Sequence, residues 1–88
     1  MRLDKFLKVS RLIKRRTVAN EFSQQGRVFV NNKSAKPSVA VKEGDELRLE
    51  YYSKTFIVEI IKIPTGNISI QEAKDLYRII EEKSKKTD

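Results

Sequence analysis

The sequence predicts an α+β domain: two short N-terminal helices packed on a small, mainly antiparallel sheet, followed by a C-terminal helix. Three observations predict it. Apolar residues recur at helical spacing over residues 3–10 and again over 18–22. They alternate with charged residues around Leu47 and Leu49, then crowd into a β-branched run from Thr55 to Ile63. A last helical pattern opens at Ser69. The 88 residues suit a single domain with one small core.

Leu3, Phe6, Leu7 and Ser10 share one helical arc, with Lys5 and Lys8 opposite. Continuing that helix would turn Leu12 toward the basic side, so the helix should end between Val9 and Arg11, letting Leu12 and Ile13 turn back into the core. Lys14, Arg15 and Arg16 follow as a basic turn. Thr17 is the expected N-cap of a second helix. Val18, Ala19 and Phe22 form its apolar face, and Asn20, Glu21, Ser23 and Gln24 face water. Gly26 ends it by passing through a left-handed conformation.

Arg27 to Val30 reads as a strand, Asn31-Asn32 as a tight turn, and Lys33 to Lys36 as chain that pairs back or continues as loop. Pro37-Ser38 breaks the pattern, and Val39 and Val41 should be pinned to the core. Glu43-Gly44-Asp45 is a turn before the strand around Leu47 and Leu49, which Tyr51 and Tyr52 extend. Ser53-Lys54 turns into the longest strand, Thr55 to Ile63, to make a hairpin. Ser69 and Glu72 have the spacing of a capping box, which would open a helix over about residues 69–83. That helix would place Ala73, Leu76, Tyr77 and Ile80 on one face and form Glu81–Lys85 and Glu82–Lys86 pairs. The tail from Ser84 to Asp88 should fray.

Charge is distributed unevenly. Residues 1–36 hold ten Lys and Arg against Asp4 and Glu21, whereas residues 37–88 hold nine against ten acids. The whole excess of +7 therefore lies in the first two fifths of the chain. Lys5 and Lys8 share a helix face, the Lys14–Arg16 turn follows directly, and Arg27, Lys33 and Lys36 come soon after. Cations on one rigid surface can each neutralise a backbone phosphate and release counterions. A solvated charge run is the commoner meaning of such residues, but this arrangement favours RNA binding. Asp4 is the exception in the basic helix: near the N-terminus it suits the helix dipole, and it could orient Arg15 or Arg16, or meet a cation on a partner.

Other chemistries find little support. With no Cys and no His, the chain lacks a thiol nucleophile, the commonest general base and the soft metal ligands, so neither an enzyme nor a metal or other cofactor is expected. Its carboxylates sit beside Lys and Arg and look solvated. No apolar run approaches the ~18 residues of a membrane span, and residues 1–15 lack the apolar middle of a signal peptide, so a cytoplasmic protein is expected. Phe6, Phe22, Phe29 and Phe56 read as core. Of Tyr51 and Tyr52, one should face inward; the outward ring could stack on a base, although simple exposure accounts for it. Lys83, Lys85 and Lys86 read as solvated.

The run Arg2-Leu3-Asp4-Lys5-Phe6-Leu7, then Arg16-Thr17, Ala19, Gly26-Arg27-Val28, Val30-Asn31, Lys36-Pro37-Ser38, Val41 and Gly44-Asp45 resembles the S4-type RNA-binding domain. The likeness extends from Arg2 to about Leu49. It implies the helix-and-sheet αL motif and RNA contacts for Arg2, Lys5, Lys8, Arg11, Lys14, Arg15, Arg16, Thr17, Lys33 and Lys36. S4 domains are often appended to enzymes, but this chain leaves no room for a catalytic partner. The opening MRLDKFLKVSRLIKRRT is similar to small free-standing members that serve ribosome-associated quality control. That resemblance implies binding to stalled large (50S) ribosomal subunits at 23S rRNA and P-site peptidyl-tRNA. It also implies a functional partnership with RqcH in non-templated alanine tailing, by a protein expected to be monomeric. Heat-shock S4 proteins, which have a long basic C-terminal extension, offer an alternative: recycling of free 50S subunits that carry nascent chains. A helix-turn-helix DNA regulator is a third reading, opposed by the absence of Arg from the exposed face of the second helix. A protein adaptor working through the sheet is a fourth.

Overall fold

The computed structural model describes residues 1–66 and 68–84. Helices α1 (Leu3–Val9) and α2 (Arg16–Gln24) pack on one another and against a five-stranded sheet of β1 (Val28–Val30), β2 (Lys33–Ser34), β3 (Glu46–Glu50), β4 (Lys54–Ile60) and β5 (Tyr77–Ser84). The strand order is β2-β1-β3-β4-β5, with every neighbouring pair antiparallel. A short helix α3 (Ile70–Ala73), continued by a 3₁₀ turn (Lys74–Leu76), links β4 to β5. The α+β class expected from the sequence is the class observed.

The arc of α1 drives the packing. Leu3, Phe6 and Leu7 are fully buried and meet Val28, Leu47, Leu49, Val58 and Ile60 from the sheet. Alternation in β3 places Leu47 and Leu49 inward and leaves Glu46, Arg48 and Glu50 on the opposite face. The N-terminus of α1 has no side-chain cap. Its first free amides are satisfied by a crossing loop: Leu3 donates to the Val39 carbonyl at 2.8 Å, and Asp4 to the Pro37 carbonyl at 3.1 Å. Val39 is thus held by its backbone while its side chain is exposed; Val41 supplies the buried anchor. Asn31 and Asn32 both have positive φ (50° and 69°), as a two-residue hairpin with the twist of its strands requires. The Asn31 side chain donates to Asp45 at 3.1 Å and accepts from the Glu46 amide at 2.9 Å, tying this turn to the start of β3.

Several expectations need correction. Helix α2 begins at Arg16 with Arg15 as its N-cap, so Thr17 lies inside the first turn and does not cap it. Ser23 is buried, because its hydroxyl satisfies itself on the Ala19 carbonyl at 3.1 Å. β3 ends at Glu50 and β4 at Ile60, and β5, at eight residues, is the longest strand. Phe29 lies on the outer sheet face, under the Arg48 guanidinium at 4.0 Å, and is not part of the core.

The largest correction concerns the C-terminal helix. Ser69 does accept from the Glu72 amide at 3.1 Å, but the helix stops within two turns and residues 77–84 form β5. Tyr77, Ile79 and Ile80 favour strand, and pairing with β4 satisfies backbone groups that β4 would otherwise expose along its edge. Ile80 is exposed, and Glu81 lies 3.6 Å from Lys83 on the same strand. The i, i+4 geometry is therefore absent at Glu81 and Glu82; Lys85, Lys86 and the rest of the expected frayed tail lie outside the described residues.

Replacing Leu49 with Ala should lower stability by about 2–5 kcal/mol, since a fully buried side chain leaves a cavity between α1 and the sheet. Urea denaturation followed by circular dichroism measures this, and the same change at exposed Ile70 should move the midpoint far less.

Candidate nucleic-acid interface

The ten basic and polar residues expected to meet RNA are all exposed. Asp4 is the reverse: only 2% of it is accessible. Its carboxylate lies between the two helices and accepts from Arg2 Nε and Nη2, each at 3.2 Å, from Arg16 Nη2 at 3.4 Å and from Asn20 Nδ2 at 3.5 Å. Asn20 is in turn held by Gln24, which donates to its Oδ1 at 2.7 Å. Arg16, Asn20 and Gln24 are four residues apart and so share a face of α2. Of the two arginines that Asp4 could orient, Arg16 is the one it engages; Arg15 forms no ion pair among the described residues.

Burial by itself would raise the Asp4 pKa. The hydrogen bonds from Arg2, Arg16 and Asn20, with the attraction of the Arg16 charge, together outweigh it and hold the carboxyl below its ordinary value. Asp4 therefore stays ionised, and one buried negative charge aligns two exposed guanidinium groups.

Two hollows border this cluster, and a third lies on the other flank of α1. Arg2 and Lys36 both line a groove of about 470 Å³, with Gln24, Gly26, Ser34 and Ser38 among its other walls. Arg16 and Thr17 line a second hollow of about 410 Å³ with Asp4, Asn20 and Glu21. On the other flank of α1, Lys5, Lys8 and Arg11 border a hollow of about 490 Å³ closed by the Pro64–Gly66 loop and Ile68. Lys14 and Arg15 project from the turn between the helices, and Lys33 stands apart on edge strand β2. The basic turn is anchored from behind. Ile13 is buried, the Ser10 hydroxyl donates to the Leu7 carbonyl at 3.2 Å, and Tyr51 donates to the Leu12 carbonyl at 2.9 Å. Burial and then the neighbouring Tyr77 push the Tyr51 hydroxyl above its ordinary pKa, so it remains a donor. Arg11, at φ 62°, holds a left-handed conformation that a non-glycine residue adopts only when its surroundings impose it.

Sequence reasoning missed the part that Asn20 and Gln24 play at Asp4, and the placement of Pro64–Gly66 and Ile68 against α1. The four-residue spacing from Arg16 offered a signal for Asn20 and Gln24; Pro64 and Gly66 mark a loop in the sequence, but nothing local shows that the fold brings it to Lys5 and Lys8.

A model of the S4 domain matches residues 1–47, the stretch that carries this cluster. The chain belongs to the S4 domain family. Within that family it is 51% identical to the RQC P-site tRNA stabilizing factor of Halalkalibacterium halodurans, over 93% of this chain and 92% of that protein. The factor of the same name from Listeria monocytogenes is 49% identical over 93% of this chain and 88% of its own. Among solved structures, the trimeric heat shock protein 15 of Vibrio cholerae superposes with a TM-score of 0.80 at 34% identity, covering 90% of this chain and 80% of that one.

The lowered Asp4 pKa carries a sign. Below an unfolded value of about 3.9 and above the depressed folded value, the unfolded chain binds more protons, so stability rises with pH there. The contribution is complete above about pH 5 and is lost as pH falls through the folded value. Asp4→Asn should cost about 1–2 kcal/mol at neutral pH, discounted because both arginines are about half exposed. It should also flatten the acid limb of a stability–pH curve measured by urea titration.

Proposed function

We propose that this protein is a non-catalytic, cytoplasmic, monomeric RNA-binding factor of ribosome-associated quality control. It binds 50S subunits obstructed by peptidyl-tRNA, contacts 23S rRNA and the P-site tRNA, and supports alanine tailing by RqcH by helping hold or move the peptidyl-tRNA in the P site. One observation carries the reading: two guanidinium groups aligned by a buried carboxylate, within the segment that matches the S4 family. Aligned guanidiniums suit bidentate phosphate contacts. Cations lie on both flanks of α1, with Arg2, Arg16 and Lys36 on one side and Lys5, Lys8 and Arg11 on the other. Such a wedge suits a cleft between two RNA backbones. Phosphate contacts alone do not choose among RNAs, so selectivity would come from the shape of that cleft. The identity to RQC P-site tRNA stabilizing factors supports the tRNA as one wall. The likeness to heat shock protein 15 supports a second reading, recycling of free 50S subunits without tailing.

Gradient fractionation of tagged protein, with a tail assay in a deletion strain, tests the proposal. Enrichment on 50S particles bearing peptidyl-tRNA and loss of alanine tails are expected. Distribution in proportion to RNA mass would remove the selectivity, and normal tails with 50S binding retained would favour recycling. In vitro, neutralising roughly five to seven phosphates should give a log–log salt slope near −4 to −6. Arg16→Ala should weaken binding by about 1.5–3 kcal/mol. Thermal melting run in parallel separates a lost phosphate contact from the loss of the Asp4 pair.

A further inference from the structure

At the end of β3 farthest from the Asn31-Asn32 turn, four side chains form a corner unlike the rest of the surface. Tyr52 is 83% exposed, far more than any other large apolar or aromatic side chain among the described residues. One face of its ring is covered by the Arg27 guanidinium, 4.3 Å from the centroid. Arg27 lies in turn 5.6 Å from the Phe22 ring, so the tyrosine is steadied from below while most of it meets solvent. Tyr51, beside it, is immobile: its ring packs on Phe22 at 5.3 Å and edge-on to Phe56 at 5.4 Å, and its hydroxyl is bound to Leu12. Arg27, Glu50, Tyr51 and Tyr52 enclose a hollow of about 190 Å³.

Glu50 determines what this hollow can hold. Its carboxylate comes no nearer than 3.8 Å to Arg48 Nε and accepts no hydrogen bond from a side chain among the described residues. A phosphate there would meet this carboxylate as well as Arg27, so the corner lacks the uncompensated positive charge of a phosphate site. A nucleobase would stack on Tyr52 and turn its edge toward the acid. Two carboxylate oxygens match two adjacent donors, which guanine presents as N1–H and N2–H. Adenine and cytosine each offer an amino group beside an acceptor, and uracil flanks one N–H with two carbonyls. The corner also adjoins the basic turn, because Leu12, the partner of Tyr51, precedes Lys14 by two residues.

We propose that the Arg27–Glu50–Tyr52 corner binds a single unstacked guanine of the RNA, with Tyr52 as the stacking platform and Glu50 reading the Watson–Crick edge. This rests on the RNA-binding reading above and adds a base-specific subsite to it. Phosphate contacts made by the helices would set orientation, and this corner would read sequence.

The test is fluorescence anisotropy at fixed salt with RNA hairpins carrying one bulged G, A, C or U, or none. Wild-type protein should bind the bulged-G hairpin tightest. Tyr52→Ala should lose about tenfold on that hairpin, within the range for one base–aromatic stack, and change little on the flush one. Tyr52→Phe should retain the affinity, and Glu50→Gln should abolish the preference for G over A. Equal losses on bulged and flush hairpins, no loss in Tyr52→Ala, or a base order that Glu50→Gln leaves unchanged would each overturn the subsite while leaving RNA binding intact. Failure of the wild-type protein to bind any hairpin would overturn the RNA-binding reading itself.

Discussion

The buried carboxylate of Asp4 is the interaction around which the cationic surface is organised. An acid placed at a helix–helix seam is costly to desolvate unless donors surround it. Here α1 supplies the acid, Arg2 comes from the residue before that helix, and Arg16 and Asn20 come from α2. The donors that make burial tolerable are the groups that then stand at the surface in fixed positions. Stability and orientation are coupled through one group: the pairs join α1 to α2, and the guanidinium planes take their geometry from the join. Because both arginines remain about half exposed, their outer faces are free for phosphate.

The sheet contributes rigidity on the opposite side. Tyr51 reaches from the end of β3 to the Leu12 carbonyl, and Ile13 is buried beside it, so the turn carrying Lys14, Arg15 and Arg16 is tethered just before its charges begin. The crossing loop at Pro37 and Val39 does the same for the start of α1, satisfying its first amides and carrying Lys36 to the groove that Arg2 also lines. Rigid presentation matters for a binding surface, because each long side chain that must be ordered on contact subtracts from affinity.

The outer face of the sheet follows a different logic. The Arg48 guanidinium lies 4.0 Å from the centroid of the Phe29 ring and that of Arg27 lies 4.3 Å from the centroid of Tyr52, so each guanidinium covers one face of an aromatic ring. Arg48 Nε is buried without a hydrogen-bond partner among the described residues, with Glu50 at 3.8 Å as its nearest acid, which leaves this face less completely satisfied than the Asp4 cluster. Electrostatic cover of this kind is weaker than a packed core. It leaves β3 and β4 accessible on that side.

Periodicity alone determined much of this protein. The arc of Leu3, Phe6 and Leu7, the break before Leu12, the left-handed Gly26, the Asn31-Asn32 turn and the alternation of Leu47 and Leu49 are local preferences, and each is present. The exposure of the ten basic and polar residues was also legible, and an acid isolated in a basic run pointed to Arg15 or Arg16 as a partner; the fold then selected Arg16. Tertiary structure decided what depends on partners distant in sequence. Ser69 and Glu72 started a helix as their spacing requires, but the edge of β4 then recruited Tyr77 to Ser84 as a strand, since ladder hydrogen bonds outweigh a weak helical preference. Thr17 lost its capping role because the path of the chain out of the basic turn started the helix two residues early, with Arg15 at the cap position. Pro64–Gly66 and Ile68 joined Lys5 and Lys8, and Arg27 joined Glu50 and Tyr52, only through folding, since no local pattern records which segments a sheet and two helices bring together.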